Sequence, residues 1–306
     1  MNSAIKTSIT IIVLLSLLGC LSLLAQESPR PDAAIGAART PAYDWTSRGA
    51  YDHVIRDGIQ FNNNRWAGEQ GTIFVKFGPP TVTWWTTHSG NRREFPVSAP
   101  NAAIGRNWGI QTSANIPLPA KLADIEYLRA SLIATVTSKP SHMYRIYLQT
   151  YLADTPTGNY SGDFAPTIYW RNCPDDWWGR PVGVFKIDGR EWQFNDCGQA
   201  VGRYCVPLLL PKLQPDKNGR IETCNLDLKP LLDKAVELGF YTEQKYLMVV
   251  QAAWEVWVLD EILAMNDMCL VIKVKDKPEV TVPSWSQLPS KFRSAPKAAR
   301  GSGKKP

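Results

Sequence analysis

The sequence predicts an all-β protein, a jelly-roll sandwich of two antiparallel sheets with one helix. Three observations predict it. Strand-like runs punctuated by turns dominate the stretch from residue 71 to residue 274. Only one segment has its apolar residues at helical spacing. No internal repeat, coiled coil or low-complexity segment interrupts the body, which is long enough for one large β domain.

In chain order the strand runs are Gly71 to Phe77, Thr81 to Trp85, Tyr127 to Val136, Met143 to Tyr151 and Ala165 to Trp170. Val182 to Ile187 and Arg190 to Phe194 follow, joined by Asp188-Gly189, which is a hairpin signal. The helix comes next. Asn225-Leu226-Asp227 leads into Leu228, Leu231, Leu232, Ala235, Val236 and Leu238, with Pro230 in the first turn and Gly239 at the end. Tyr246 to Trp257 and Cys269 to Val274 complete the set.

The ends of the chain are of a different kind. Residues 1–25 read as a secretory signal peptide: Lys6 opens it, Ile9 to Leu24 is apolar, and Leu23-Leu24-Ala25 offers a cleavage site before Gln26. Leu17-Leu18-Gly19-Cys20 is an alternative lipobox that would anchor the chain to a membrane through Cys20. Export into the extracytoplasmic space as a secreted monomer is the expectation. Residues 26–40 form a linker, 41–282 the folded domain, and 283–306 a basic tail that cannot bury enough surface to fold. The tail's six Lys and Arg equal the whole formal charge of +6, so the body is close to neutral. The charge therefore gives no reason to expect nucleic acid as a partner.

Without Cys20, five cysteines remain, and Cys197 with Cys205 is the easiest disulfide to close in an exported protein. No C-x-x-C occurs and His53, His88 and His142 are far apart, so neither a zinc site nor a serine triad is expected. Nothing calls for a metal, a nucleotide or another cofactor. Twelve tryptophans are many for one sandwich, and the pairs Trp84-Trp85 and Trp177-Trp178 would point adjacent rings to opposite faces of a strand. Some rings should then line a groove.

The strand Tyr246 to Trp257 carries the main chemical signal. Alternation puts Met248, Val250, Ala252 and Trp254 on one face and Leu247, Val249, Gln251, Ala253, Glu255 and Trp257 on the other. A lone carboxylate in an apolar strand is costly to bury. Gln251, Glu255 and Trp257 together suggest a sugar-binding cleft; the plain alternative is a solvated strand end.

Several segments resemble glycoside hydrolase family 12, secreted endoglucanases and xyloglucanases. Asn62-Asn63-Asn64-Arg65-Trp66 resembles its N-N-x-W motif, with one extra residue, and SAPNAAIGRNWG (Ser98 to Gly109) resembles the P-x-x-x-x-G segment that follows. Leu118-Pro119-Ala120-Lys121-Leu122, Thr150-Tyr151 with Thr155-Pro156-Thr157-Gly158, and Gln251-Ala252-Ala253-Trp254-Glu255 match later motifs. The resemblance implies a concave glycan cleft and makes Glu255 the general acid/base. The family's second carboxylate, the nucleophile of E-x-M-x-W, falls on Pro166 when Trp170 is aligned, and the aspartate of A-Y-D falls on Leu152. Retaining glycosidases need two carboxylates about 5 Å apart.

The expectation is therefore a β-1,4-glucan-recognising protein with weak or absent hydrolysis. The alternatives are an active endo-β-1,4-glucanase with a displaced second carboxylate, or a non-catalytic surface protein. Asp163 is the first candidate for that carboxylate; Asp154, Asp175 and Asp176 read better as turn residues. The expected glucan contacts are Asn63, Trp66, Trp108, Tyr151, Trp170, Gln251 and Trp257.

Overall fold

The computed structural model describes residues 44–66, 71–77, 83–88, 90–91, 93–136, 139–200 and 202–283. The expected signal peptide, Cys20, the linker and all but the first residue of the basic tail lie outside them. Its strands begin with β1 (Trp45–Ser47), β2 (His53–Arg56), β3 (Ile59–Asn62), β4 (Ile73–Lys76), β5 (Thr83–Thr86) and β6 (Gly90–Asn91). Next come β7 (Asn101–Asn107), β8 (Ile110–Gln111), β9 (Ala120–Lys121), β10 (Ile125–Thr135), β11 (Met143–Ala153), β12 (Tyr160–Phe164) and β13 (Thr167–Arg171). A 3-10 turn at Asp175–Trp178 leads to β14 (Arg180–Ile187), β15 (Arg190–Ala200), β16 (Gly202–Leu210) and β17 (Arg220–Asp227). Helix α1 (Lys229–Glu237) precedes β18 (Tyr246–Leu259), β19 (Leu263–Val274) and β20 (Val280–Val282).

These strands form two sheets. The smaller has the order β1-β4-β5-β19-β10-β17, with β20 added to β19. The larger has the order β14-β15-β16-β12-β11-β18-β7-β3-β2, with β13 bridging β11 and β16. The expected sandwich is there, with one difference: β16 runs parallel to β12 and β13. Trp254, Ile146, Phe164, Leu132 and Ile272 meet between the sheets, all fully or almost fully buried. Among the described residues no helix is long and apolar enough to cross a membrane.

Helix α1 forms where the apolar spacing predicts it. Leu231, Leu232 and Ala235 pack into the core. The segment before it is strand β17, not a loop, and its last residue serves the helix: the Asp227 carboxylate accepts the backbone N–H of Lys229 at 3.0 Å and of Leu128 at 3.1 Å. At the other end Gly239, at φ +75°, lets Phe240 N–H reach the Ala235 carbonyl at 2.9 Å and close the helix.

Two expectations from alternation fail locally. Leu247 joins the main core instead of the face of Glu255, because the pairing of β11 with β18 slips one residue between Val249 and Leu247. Trp177 and Trp178 are not on a strand. In the 3-10 turn both rings enter one cluster.

Candidate functional site

The site is built on the face of the larger sheet that turns away from the smaller one. In β11 and β18 the register sets Arg145 opposite Glu255, Tyr147 opposite Ala253 and Gln149 opposite Gln251. On the far side of β11, Tyr151 lies opposite Asp163. Paired residues of an antiparallel ladder share a face, so Glu255, Gln251, Arg145, Gln149 and Asp163 stand on one surface. That surface carries a second apolar cluster: Tyr147, Ala253, Trp257, Cys173, Trp178, Val206 and Leu208, with Trp170 and Trp177 packed against it.

Glu255 is 5% exposed and Arg145 1%. Arg145 Nε lies 2.5 Å from Glu255 Oε2, although neither atom has a well-directed hydrogen-bond partner, so the attraction is ionic. The guanidinium also donates to Tyr204 Oη at 2.9 Å and Thr167 Oγ1 at 3.3 Å. It sits over the Tyr147 ring at 4.3 Å and within 5.6 Å of Trp178. Trp177 closes the other side, edge-on to Trp257 at 5.2 Å, with its indole close enough to Glu255 to favour the charged carboxylate. Burial pushes the Glu255 carboxyl above its ordinary value, opposed by Arg145 and Trp177. A raised pKa suits a general acid. Delivering the proton also requires a leaving oxygen within hydrogen-bond reach, and here the space over the carboxylate is filled by side chains.

Asp163 is buried, and both of its carboxylate oxygens accept from Gln149 Nε2 at 2.9 Å. Burial raises its pKa to about 7; Gln149 and Arg145 oppose the rise and the Glu255 charge adds to it. The two acids sense each other, but their contacts run to different partners. The Asp163 side chain shares its face with Ala165 and Thr167. Pro166 is different: its carbonyl accepts Leu148 N–H at 2.9 Å, and Leu148 belongs to the main core. Register thus turns Pro166 inward, so alignment by Trp170 misjudges the face: a bulge between Thr167 and Tyr169 shifts the alternation. Leu152 is likewise in the core.

The expected glucan contacts separate into exposed and covered groups. Trp66 is 44% exposed, its indole N–H bonded to Asn64 Oδ1 at 2.8 Å, and Trp108 is 66% exposed. Tyr151 is half-buried and stacks on Tyr160. Gln251 donates to Asn107 Oδ1 at 2.9 Å, and Asn107 in turn donates to Gln60 Oε1 at 3.1 Å, a buried row of amides. Trp170 packs on Trp178, and Trp257 is fully buried under Trp177. Asn63 does not join this face. Its amide donates to the half-buried Gly49 carbonyl, and its oxygen contacts His88 Nε2 in the interior at 2.7 Å.

Sequence reasoning missed Arg145, Tyr204 and the Trp177-Trp178 cover. Arg145 and Gln149 were available signals, polar residues four apart on one face of an otherwise apolar strand. The expected Cys197–Cys205 bridge is absent: both thiols are free. Cys205 packs in the main core and Cys197 against the outer cluster, on opposite faces of the sheet, so chain proximity does not bring the sulfurs together. His142, Asp260 and Glu261 gather at the end of β18. Lys139 and His142 both contact Asp260, so its carboxylate is already engaged by side chains of the protein.

No family model matches the sequence, and no curated protein matches it. Solved structures do. A metagenome-derived glycoside hydrolase family 12 endoglucanase is 18% identical with a TM-score of 0.66, covering 76% of this chain and 98% of its own. An endoglucanase from Rhodothermus marinus is 17% identical at 0.65, covering 75% and 99%. A family 12 xyloglucanase from Bacillus licheniformis is 14% identical at 0.62, covering 75% and 100%. The sheets that carry Glu255 and Arg145 thus have the fold of the family 12 glycoside hydrolases.

Proposed function

We propose that this protein recognises β-1,4-glucan of the cellulose or xyloglucan type outside the cytoplasm and hydrolyses it weakly or not at all. The observation that carries the second half is the buried Glu255–Arg145 ion pair beneath Trp177. A carboxylate locked to a guanidinium and covered by indole cannot protonate a glycosidic oxygen it does not reach. Recognition is supported by the fold and by exposed Trp66, since indole faces stack on the C–H faces of pyranose rings. Asp163 favours a second reading, hydrolysis with Asp163 as the second carboxylate, because it faces the same surface and titrates at about 7.

Reducing-end release from carboxymethylcellulose, β-glucan and xyloglucan, with glucan-gel retardation, separates the readings. Recognition without hydrolysis requires retardation that Trp66→Ala removes and no release of reducing ends. Robust release abolished by Glu255→Gln or Asp163→Asn would establish the enzyme instead. Absence of both release and retardation would end the carbohydrate reading.

A further inference from the structure

Away from the Glu255 face, a second concavity of about 350 Å³ opens where β9, β10 and β18 begin and β19 ends. That volume falls in the range of small-ligand sites, about 300–1,000 Å³. One wall is the segment leading into β9, with Pro117 and Pro119. The other is the turn after β19, with Lys275, Asp276 and Lys277. Lys121, Asp124 and Tyr246 complete the lining. Tyr246 opens β18 and Glu255 lies near its far end, so most of that strand separates the two places.

Hydrogen bonds hold both walls. Lys275 N–H donates to the Asp124 carbonyl at 2.7 Å, and Lys277 N–H donates to the Val274 carbonyl at 3.1 Å. The Lys273 ammonium donates to the Lys277 carbonyl at 2.5 Å. Asp276 sits at φ +59°, a region its short polar side chain tolerates. On the opposite wall the Gln111 amide donates to the Leu118 carbonyl at 3.0 Å. Lys121 donates to Gln244 Oε1 at 3.1 Å, with its ammonium 5.9 Å from the centre of the Tyr246 ring. Walls set in advance lose less freedom when a ligand arrives. Among the described residues, Asp124, Lys275, Asp276 and Lys277 make no salt bridge, so their charges are open to a ligand.

The lining sets what fits. Ammonium groups only donate and ionised carboxylates only accept. Lys121, Lys275 and Lys277 outnumber Asp124 and Asp276, which favours an anion. A bare inorganic anion has no donor for the two aspartates and is repelled by them. A neutral sugar has hydroxyls for the aspartates but leaves the lysines unused. We propose that this concavity binds a uronic acid residue. Its carboxylate meets Lys275 and Lys277, its hydroxyls donate to Asp124 and Asp276, and the C–H face of its ring lies against Tyr246 and the two prolines. Such a site recognises an acidic saccharide whether or not the Glu255 face takes glucan.

Digalacturonate titrated calorimetrically into the full chain tests this, with its uncharged methyl ester as the comparison ligand. The wild type is expected to bind the acid at one site, roughly tenfold more tightly than the ester. Lys275→Gln/Lys277→Gln should abolish that preference, and Asp124→Asn/Asp276→Asn should weaken binding of the acid. All four side chains are exposed and asparagine suits the Asp276 backbone, so both variants should melt like the wild type. Trp66→Ala should bind digalacturonate as the wild type does. A wild type that binds no digalacturonate, or a lysine variant that keeps the preference for the acid, would overturn the site. Tighter binding in the aspartate variant would reveal a simple anion site instead, and loss of binding in Trp66→Ala would put the sugar on the Glu255 face.

Discussion

Arg145→Met removes the one ion-pair partner of Glu255 among the described residues and leaves a carboxylate 5% exposed among Tyr147, Trp177 and Trp257. Breaking one side of a buried pair costs about 3–5 kcal/mol, whereas replacing both sides with apolar groups of similar volume is close to neutral. For a folded body of this size, each kcal/mol corresponds to about 2–4 °C. Arg145→Met should therefore melt about 6–20 °C below wild type, and Arg145→Met/Glu255→Leu should recover most of that loss. The sign with pH is also set. With Arg145 gone, burial is opposed only by Trp177 and keeps the folded pKa of Glu255 above the reference value of 4.5. The neutral acid is then favoured in the fold, so the penalty is absent below the unfolded pKa and complete above the raised folded value. Thermal melts followed by tryptophan fluorescence at several pH values measure all three proteins. A double variant as unstable as the single one, or a single-variant loss independent of pH, would refute the account of the ion pair.

Asp163 and His88 give two further expectations. The Asp163 pKa rises from 3.8 to about 7 on folding, so its ionisation destabilises the protein as pH climbs through that window. Asp163→Asn should gain little at pH 4 and up to about 4 kcal/mol at pH 8, measured by urea unfolding at each pH; an equal gain at both would contradict the burial account. His88 is lowered from 6.5 to about 3 by burial and by the Arg65 charge, and its ring contacts Asn63. Its contribution is full above pH 6.5 and lost as pH falls towards 3, worth about 5 kcal/mol over the window. His88→Gln should flatten the acid side of the stability profile, and an unchanged acid midpoint would show that other groups govern it.

Much of the fold was legible because its signals are local. The apolar spacing and Gly239 marked helix α1, and Asp188-Gly189 marked the β14–β15 hairpin. Strands β16 and β17 were missed for opposite reasons. Pro207 and a continuous apolar run disguise β16, while β17 ends in Asn225-Leu226-Asp227, which resembles a helix lead-in. The face of Glu255 followed from period-two alternation, which holds between bulges. Where the ladder slips at Leu247, alternation misassigned the side, and the slip between Thr167 and Tyr169 likewise separates Pro166 from the face that motif alignment on Trp170 implies.

Taken by itself, the sequence determined that Glu255 and Gln251 share a face of a β-sandwich, since side-chain direction in a strand depends only on position parity. Tertiary structure decided what that face meets. Arg145 is 110 residues from Glu255 in the chain yet directly opposite in the sheet, and Trp177 arrives from a turn between two other strands. Such pairings depend on strand order and register, which are set by the packing of the whole sandwich and leave no mark at fixed spacing along the chain.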